Sequence, residues 1–176
     1  MSALFDTVLI QVTGFFREPA TFGLLQTTVI PPLLIGRSAG TPLRAWVVGC
    51  ATGQEAYSLA MSFLEVEAVL GLDALVRVFA SDLSESGLAK SRAGQYSRDD
   101  TTGLSPERLQ QFFVPVDHGF RVNKRLREMC VFARHDITRD PPFAQLDRVF
   151  WCNVLSYLEH VLQRRVLHNI QYALKP

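Results

Sequence analysis

Short, nearly uninterrupted apolar runs alternate along the chain with longer stretches whose apolar residues recur every three or four positions. The runs predict strands at 43–48, 76–80, 120–122, 129–133 and 147–152. The periodic stretches predict helices at 3–12, 19–34, 55–70, 84–94, 104–113 and 163–174. Because Pro31 and Pro32 remove two backbone donors, the second of these helices is expected to kink or restart there. The order β-α-β-α, a mixed stretch and then β-β-α predicts an α/β fold.

A glycine turn joins the first strand to the helix that follows it. Gly49 and Gly53 flank this turn, and Glu55 opens the helix. Strand, glycine turn and helix in this order form nucleotide-type sites in doubly wound folds, because glycine lets backbone N–H groups approach a ligand. The Gly-x-x-x-Gly spacing is not the pyrophosphate fingerprint, and Glu55 would repel a phosphate. An acid there suits the ammonium of a methionine moiety, so the motif favours S-adenosylmethionine over NAD or ATP.

Two further charged residues have two interpretations each. Asp82 lies 29 residues after Gly53, at the carboxyl end of the second predicted strand. It either binds the hydroxyls of a ribose or caps the helix that starts at Ser84, and the nearby glycine turn favours the ribose. Arg17 follows two phenylalanines. It is either an exposed charge whose stem packs on the rings, or a planar fork for a substrate carboxylate.

The composition narrows the class of protein. With 176 residues and 48% hydrophobic residues, the chain is long enough for one domain, and its net charge of +1 argues against disorder and against a nucleic-acid surface. No apolar run reaches the about 18 residues of a membrane span, and the N-terminus lacks signal-peptide features. The three cysteines lack Cys-x-x-Cys spacing, and the histidines lack metal spacing. We therefore expect a cytoplasmic protein without a metal site.

Cysteine and tyrosine positions leave further alternatives open. Cys50 follows the first strand, and Cys152 ends a strand that is expected beside it. The two thiols either face one pocket rim at disulfide distance or are unrelated buried groups. Tyr57 and Tyr157 each fit a core position with a satisfied hydroxyl.

Four motifs, in order along nearly the whole chain, resemble the chemotaxis protein-glutamate O-methyltransferases of the CheR family. These motifs are Thr13-Gly14-Phe15-Phe16-Arg17, the segment 49–60 (Gly-Cys-Ala-Thr-Gly-Gln-Glu-Ala-Tyr-Ser-Leu-Ala), Ala80-Ser81-Asp82-Leu83 and Asn153-Val154-Leu155-Ser156-Tyr157-Leu158. The segments 132–137 and 140–143 are especially similar to large signalling proteins that fuse this methyltransferase to methylesterase and sensor domains. The resemblance implies a Rossmann-like class I S-adenosylmethionine-dependent methyltransferase fold.

The resemblance also implies the chemistry. The donor would be S-adenosylmethionine, which leaves as S-adenosylhomocysteine, and the acceptors would be glutamates on the cytoplasmic helices of methyl-accepting chemoreceptors. Donor-binding positions carried over from the family are Gln11, Thr13, Arg17, Gly49, Gly53, Glu55, Asp82, Asp136, Ile137, Asn153 and Val154. Glu55 would take the methionine end, Asp82 the ribose, and Asp136-Ile137 would flank the adenine. Arg17 and Tyr157 would lie nearest the methyl group as catalytic residues.

The family pattern suggests a domain division. Residues 1–37 would be an N-terminal helical and linker segment that carries the first motif, and 38–176 the methyltransferase core. A small antiparallel insertion at about 112–131 would dock on the receptor. Because the family continues beyond the position of Lys175-Pro176, we expect a C-terminally truncated sheet with an uncovered edge.

Three functions fit these observations. The first is a chemoreceptor methyltransferase domain within a larger sensory polypeptide. The second is a non-catalytic binding module, which the replacement of a family arginine by Cys152 would favour. The third is a small-molecule methyltransferase, against which the Phe15-Phe16-Arg17 motif and the docking insertion argue.

Overall fold

The structure, a computed structural model, describes residues 13–37, 40–151 and 159–175. A four-stranded parallel sheet contains β1 (Leu43–Val48), β2 (Val76–Asp82), β6 (Cys130–Arg134) and β7 (Arg148–Trp151), in the order β6-β2-β1-β7. The predicted α/β class is confirmed. β1 and β2 are the central strands, and β6 and β7 lie outermost among the described residues. The carboxyl ends of all four strands meet at one edge, where open α/β sheets bind their ligands.

Helices cover both faces of this sheet. They are α1 (Pro19–Leu24), α2 (Ile30–Leu34), α3 (Gln54–Leu70), α4 (Glu85–Ala93), α5 (Pro106–Phe112), α6 (Lys124–Met129) and α7 (His160–Ala173). Serine side chains cap two of them, because the Ser84 and Ser105 hydroxyls accept the N–H groups of Gly87 and Arg108.

The side chains of β1 point alternately to the two faces of the sheet, and both faces are covered, which explains the nearly continuous apolar sequence of this strand. Ala45 and Val47 belong to the larger hydrophobic cluster, which also contains the buried face of α3. Trp46 and Val48 face the opposite side and pack in a second cluster with α7. Each of these four side chains is buried. The strand is therefore covered on both faces, as a central parallel strand requires.

The proline pair restarts a helix, as the sequence predicts. A π-helical turn (Leu25–Val29) separates α1 from α2, and Pro31 and Pro32 fall in the first turn of α2. Proline is tolerated there because first-turn N–H groups have no intrahelical acceptor. Described residues of this segment, including Phe15, Phe22 and Ile30, pack in the same hydrophobic cluster as β1.

A second, antiparallel sheet has three strands in the order β3-β5-β4. They are β3 (Gln95–Tyr96), β4 (Phe113–Val116) and β5 (Gly119–Val122). The insertion expected over 112–131 thus needs correction at both ends. Its sheet draws a strand from residues 95–96, and 124–131 form α6 and the start of β6 instead. The hydrogen bond from Val122 N–H to the Gly94 carbonyl, at 2.9 Å, fixes β5 beside the end of α4.

No helix within the described ranges combines the length and apolar character needed to cross a membrane. The helix predicted over 3–12 lies outside the described residues.

Candidate functional site

The turn after β1 is held in left-handed backbone conformations. Gly49, Ala51 and Gly53 have φ angles of 70°, 46° and 89°. The N–H groups of Gly49 and Cys50 donate to the Ser81 carbonyl at 2.8 and 2.9 Å, which anchors the turn on β2. The Gly53 N–H donates to the Cys50 carbonyl at 2.7 Å and closes the turn. The predicted strand–turn–helix arrangement is present, with α3 starting one residue before Glu55.

The turn also packs tightly against the next helix. A Cβ at Gly53 would lie 2.7 Å from Ser91 Oγ, and one at Gly87 would lie 2.7 Å from the Ala51 carbonyl oxygen. The Tyr96 hydroxyl donates to the Thr52 carbonyl at 2.7 Å. Sequence reasoning missed these supporting residues, since their contacts join segments about 40 residues apart and leave no local pattern. The turn is thus held from two sides.

Asp82 joins the turn to the end of β2. One carboxylate oxygen accepts the Ala51 N–H at 2.8 Å, and the other accepts the Ser84 N–H at 2.9 Å. Asp82 is the last residue of β2, and the N-cap of α4 is Ser84. The N-cap interpretation of Asp82 is therefore wrong. Its carboxylate organises the backbone at the edge where β1 and β2 end.

Glu55 and Cys50 add to the electrostatics of this edge. Glu55 is half-buried in the first turn of α3. Burial, and next the Asp82 carboxylate, raise the pKa of the buried Cys50 thiol far above its ordinary value. The thiol is therefore protonated at neutral pH and is no nucleophile.

Asp136 and Ile137 follow β6 at the same edge. The His135 N–H donates to the Asp82 carbonyl at 3.1 Å, which brings this segment beside Asp82. The Asp136 carboxylate accepts hydrogen bonds from the Thr138 N–H and hydroxyl at 2.9 and 2.6 Å. Burial opposes ionisation of Asp136, but the Thr138 hydrogen bonds and neighbouring positive charges outweigh it and lower its pKa. Asp136 is thus an acceptor, and the half-buried Ile137 packs on the cluster of Trp46.

The segment that carries Arg17 is anchored by its two phenylalanines. Phe15 and Phe16 are buried, and Arg17 is exposed. Phe16 has a φ of 47°, and its N–H donates to Ser58 Oγ of α3 at 3.0 Å. The Arg108 guanidinium stacks 3.6 Å from the Phe16 ring centroid. The backbone conformation and the packing of Phe16 together fix the position from which the Arg17 side chain extends into solvent.

Arg108 is itself held in place. Two of its nitrogens donate to the Glu65 carboxylate at 2.7 and 2.9 Å, in a bidentate arrangement. Arg108 lies on α5, which leads into the antiparallel sheet. This residue was also missed, because one arginine in an amphipathic helix ordinarily indicates a solvated face.

The remaining predicted site residues lie at the edge of the described chain, outside it, or in the core. Thr13 is half-buried at the start of the described chain. Gln11, Asn153, Val154 and Tyr157 lie outside the described residues, as does Cys152, so the proposed approach of Cys50 to Cys152 stays a hypothesis. Tyr57 is a buried residue whose hydroxyl donates to the Ser91 carbonyl at 2.8 Å, which confirms the core interpretation. Within the described ranges, no three His, Cys, Asp or Glu side chains converge as metal ligands.

Similarity to solved structures defines the fold. The DszA carbon methyltransferase superimposes with a TM-score of 0.55 at 16% identity, over 93% of this chain and 34% of that one. The S-adenosylmethionine-dependent methyltransferase SibL gives 0.53 at 16% identity, over 90% of this chain and 33% of that one. The predicted fold, that of the class I S-adenosylmethionine-dependent methyltransferases, is confirmed.

Sequence comparison defines the family. The profile of the CheR methyltransferase S-adenosylmethionine-binding domain matches residues 11–176, and the chain belongs to this family, as the four motifs indicate. Chemotaxis protein methyltransferase 1 of Pseudomonas aeruginosa is 37% identical over 179 residues, which cover 97% of this chain and 64% of that protein. The chemotaxis protein methyltransferase of Escherichia coli is 30% identical, over 99% of this chain and 60% of that protein.

A longer relative also matches. An uncharacterized 104.1 kDa protein of Rhodobacter capsulatus is 35% identical over 175 residues, which are 99% of this chain and 18% of that protein. The chain thus spans less than two thirds of the length of each of these three relatives.

Proposed function

We propose that this chain is the donor-binding and catalytic domain of a protein-glutamate O-methyltransferase, which transfers a methyl group from S-adenosylmethionine to glutamates of chemoreceptor cytoplasmic helices. The observation that carries the proposal is the hydrogen bond between the Ala51 N–H and the Asp82 carboxylate. It joins the glycine turn and the acid at neighbouring strand ends, the arrangement that holds a nucleoside.

The residues of this edge fit the donor. Glu55 offers a negative charge to the ammonium of the methionine moiety, and Asp82 retains acceptor capacity for ribose hydroxyls because each of its oxygens accepts one backbone N–H. Asp136 would accept a hydrogen bond from the adenine amino group, and Ile137 would flank the ring. Gly49 and Gly53 would bring the backbone of the turn to the donor, and at Gly53 the absent Cβ makes room for Ser91 of α4. Gln11, Thr13, Asn153 and Val154 complete the proposed set.

The proposed methyl transfer needs little acid–base catalysis. When bound, S-adenosylmethionine supplies a sulfonium-activated methyl group. A glutamate acceptor is already ionised near neutral pH, with a pKa of about 4.3, so no general base is required. Arg17 would orient the acceptor carboxylate by bidentate hydrogen bonds, and Tyr157 would line the same region. Alignment in a desolvated site then accounts for the rate.

The partners follow from the proposed reaction. Receptor helices would supply the substrate glutamates, with the antiparallel sheet as the docking element. The match to 18% of a 104.1 kDa relative supports a place in a longer polypeptide. The methylesterase and sensor domains proposed as its neighbours come from the resemblance of segments 132–137 and 140–143.

A binding titration tests the donor site first. Glu55→Gln removes one negative charge with little change in shape, and Glu85→Gln is its control because Glu85 opens the neighbouring helix α4. We expect S-adenosylhomocysteine to bind the wild type and Glu85→Gln at 1:1 in calorimetry, and Glu55→Gln at least tenfold more weakly. Equal affinity of all three proteins would refute the role of Glu55. No binding by the wild type would refute the donor site.

Methyl transfer to a receptor cytoplasmic fragment tests the reaction. The full-length protein with radiolabelled donor should label receptor glutamates. Arg17 is proposed to contact the donor as well as the acceptor, so Arg17→Ala should lower the transfer by more than it weakens S-adenosylhomocysteine binding. Donor binding without transfer by the full-length protein would favour the non-catalytic binding module instead.

A further inference from the structure

A cavity lies at the end of the sheet opposite to the donor site. It has a volume of about 200 Å³ and is formed by the end of α3, the start of β2 and α6. Val76 begins β2 and Asp82 ends it, and six residue steps of about 3.3 Å separate the two positions by roughly 20 Å. This cavity is therefore separate from the donor site.

A buried carboxylate lines the cavity. Glu67 is 2% exposed, and neither of its oxygens accepts a hydrogen bond from any residue that the structure describes. Leaving a buried charged acceptor without a donor is costly, so native structures supply a partner for such groups. The partner expected from the chemistry is a cation that donates hydrogen bonds.

The neighbouring arginines do not fill this role. The Arg125 guanidinium nitrogen lies 3.7 Å from Glu67 Oε2, beyond hydrogen-bond distance, and the Arg125 side chain is 66% exposed. The Arg77 guanidinium is directed to the Glu128 carbonyl oxygen. With Asp73 and Glu128 also in the lining, three acids face two arginines, and Lys124 offsets one of these acids because its Nζ lies 3.6 Å from Glu128 Oε1. A positive ligand is therefore favoured by the Glu67 carboxylate, which accepts no hydrogen bond from the described part of the chain, and not by the net charge of the lining.

The rest of the lining is apolar. Leu64, Val76 and Met129 are buried side chains at the cavity wall. Sites for drug-sized ligands have volumes of about 300–1,000 Å³. This cavity is smaller, so its ligand is small. An aliphatic stem would contact these side chains while its charged end reached Glu67.

We propose that this cavity binds a small organic cation, a primary ammonium or guanidinium on a short aliphatic stem, through the Glu67 carboxylate. Arg125 competes with the ligand for this carboxylate from the solvent side. Burial raises the pKa of Glu67 to about 7, against the lowering effect of Arg125 and with a smaller rise from Asp73. Binding therefore strengthens between pH 6 and pH 8, as Glu67 ionises.

Butylguanidinium chloride is the probe, and butylurea is its neutral counterpart of the same shape. In 15N-resolved NMR titrations at pH 8 and constant ionic strength, butylguanidinium should give saturable shifts in residues 64–77 and 124–129. Butylurea should give none. Glu67→Gln should weaken the binding at least tenfold, and the control Glu85→Gln should leave it unchanged.

A misfolded variant would also lose butylguanidinium binding, so a variant that is expected to bind this probe more tightly is a stronger test. Arg125→Ala removes the competing cation and should tighten butylguanidinium binding several-fold. Absence of this tightening, wild-type affinity in Glu67→Gln, or an equal response to butylurea would overturn the proposal. Because the cavity is separate from the donor site, S-adenosylhomocysteine titrations of the same variants report independently on the proposed methyltransferase function.

Discussion

Gly53 combines a positive φ angle with close packing against α4, and the effect of its replacement by alanine can be worked through quantitatively. Its φ of 89° costs an L-residue about 1–2 kcal/mol. The added Cβ would also lie 2.7 Å from Ser91 Oγ and 2.9 Å from Ser91 Cβ. Overpacking of this kind costs about 1–3 kcal/mol. We therefore expect Gly53→Ala to lower the free energy of unfolding by about 2–5 kcal/mol, a large share of a typical domain's stability.

Gly36 provides the matched control, because its φ is 79° and nothing lies within 4 Å of the corresponding Cβ position. Gly36→Ala should cost only the conformational strain of about 1–2 kcal/mol. Urea denaturation followed by circular dichroism measures both values. S-adenosylhomocysteine binding should weaken in Gly53→Ala and stay unchanged in Gly36→Ala.

A second substitution isolates the clash from the strain. Ser91→Gly removes the two closest of the three atoms that the new Cβ would meet and leaves the Tyr96 hydroxyl oxygen at 3.1 Å, at a helix-propensity cost of about 1 kcal/mol. In that background Gly53→Ala should cost about 1–3 kcal/mol less than in the wild type, a coupling that a double-mutant cycle measures. Equal costs for Gly53→Ala and Gly36→Ala, together with zero coupling to Ser91, would refute the tight packing of the turn.

Two further predictions concern charged side chains. Arg108→Ala removes the contact with Phe16 and both hydrogen bonds to Glu65, and should destabilise the protein by about 2–3 kcal/mol in urea denaturation. Arg108→Lys keeps only the charge and should recover part of this loss. A loss below about 0.5 kcal/mol for Arg108→Ala would contradict a stabilising role of the contacts that Arg108 makes with Phe16 and Glu65. The folded-state pKa of Glu67, about 7 because of burial, exceeds the unfolded value of about 4.3, so its contribution is fully present below pH 4 and is lost as pH rises to 7. Glu67→Gln should therefore gain up to about 3 kcal/mol relative to wild type between pH 5 and pH 8, and a gain that does not change with pH would contradict the buried carboxylate.

The sequence predicted the elements whose signals are local. β1 agrees with the predicted strand at both ends, because a central strand covered on both faces is a continuous apolar run. The helices predicted at 84–94 and 104–113 begin at the N-caps Ser84 and Ser105, within a residue of the predicted starts, because capping depends on residues within one turn. These features need no knowledge of the rest of the chain.

Elements without a local signal were missed. β3 has two residues, too few for an alternating pattern, and β4 contains Pro115, which weakens any strand prediction. In α6, four of the six residues are charged, so its buried Leu126 and Met129 produce little periodicity. Tertiary pairing decides these segments.

The residues of the candidate site also fall into those with a local sequence signal and those that depend on tertiary contacts. Gly53, Glu55 and Asp82 are recognisable because each occupies a fixed place relative to a strand end. The contact of Tyr96 with Thr52 depends on where β3 lies beside the turn. The clamp of Arg108 on Phe16 depends in turn on the position of α5. Residues that hold a site in shape are thus harder to predict than residues that face the ligand.

Asp82 combines both kinds of role, and this limits what its mutation can reveal. Its two oxygens accept the N–H groups of Ala51 and Ser84, and about two further acceptor positions remain for a ribose. Asp82→Ala would remove the proposed ribose contact and would also leave the Ala51 N–H without its acceptor, so weaker donor binding would have two causes. Glu55→Gln removes one charge from the first turn of α3 and keeps the size of the side chain, so Glu55→Gln, with Glu85→Gln beside it, is the sharper test of donor recognition.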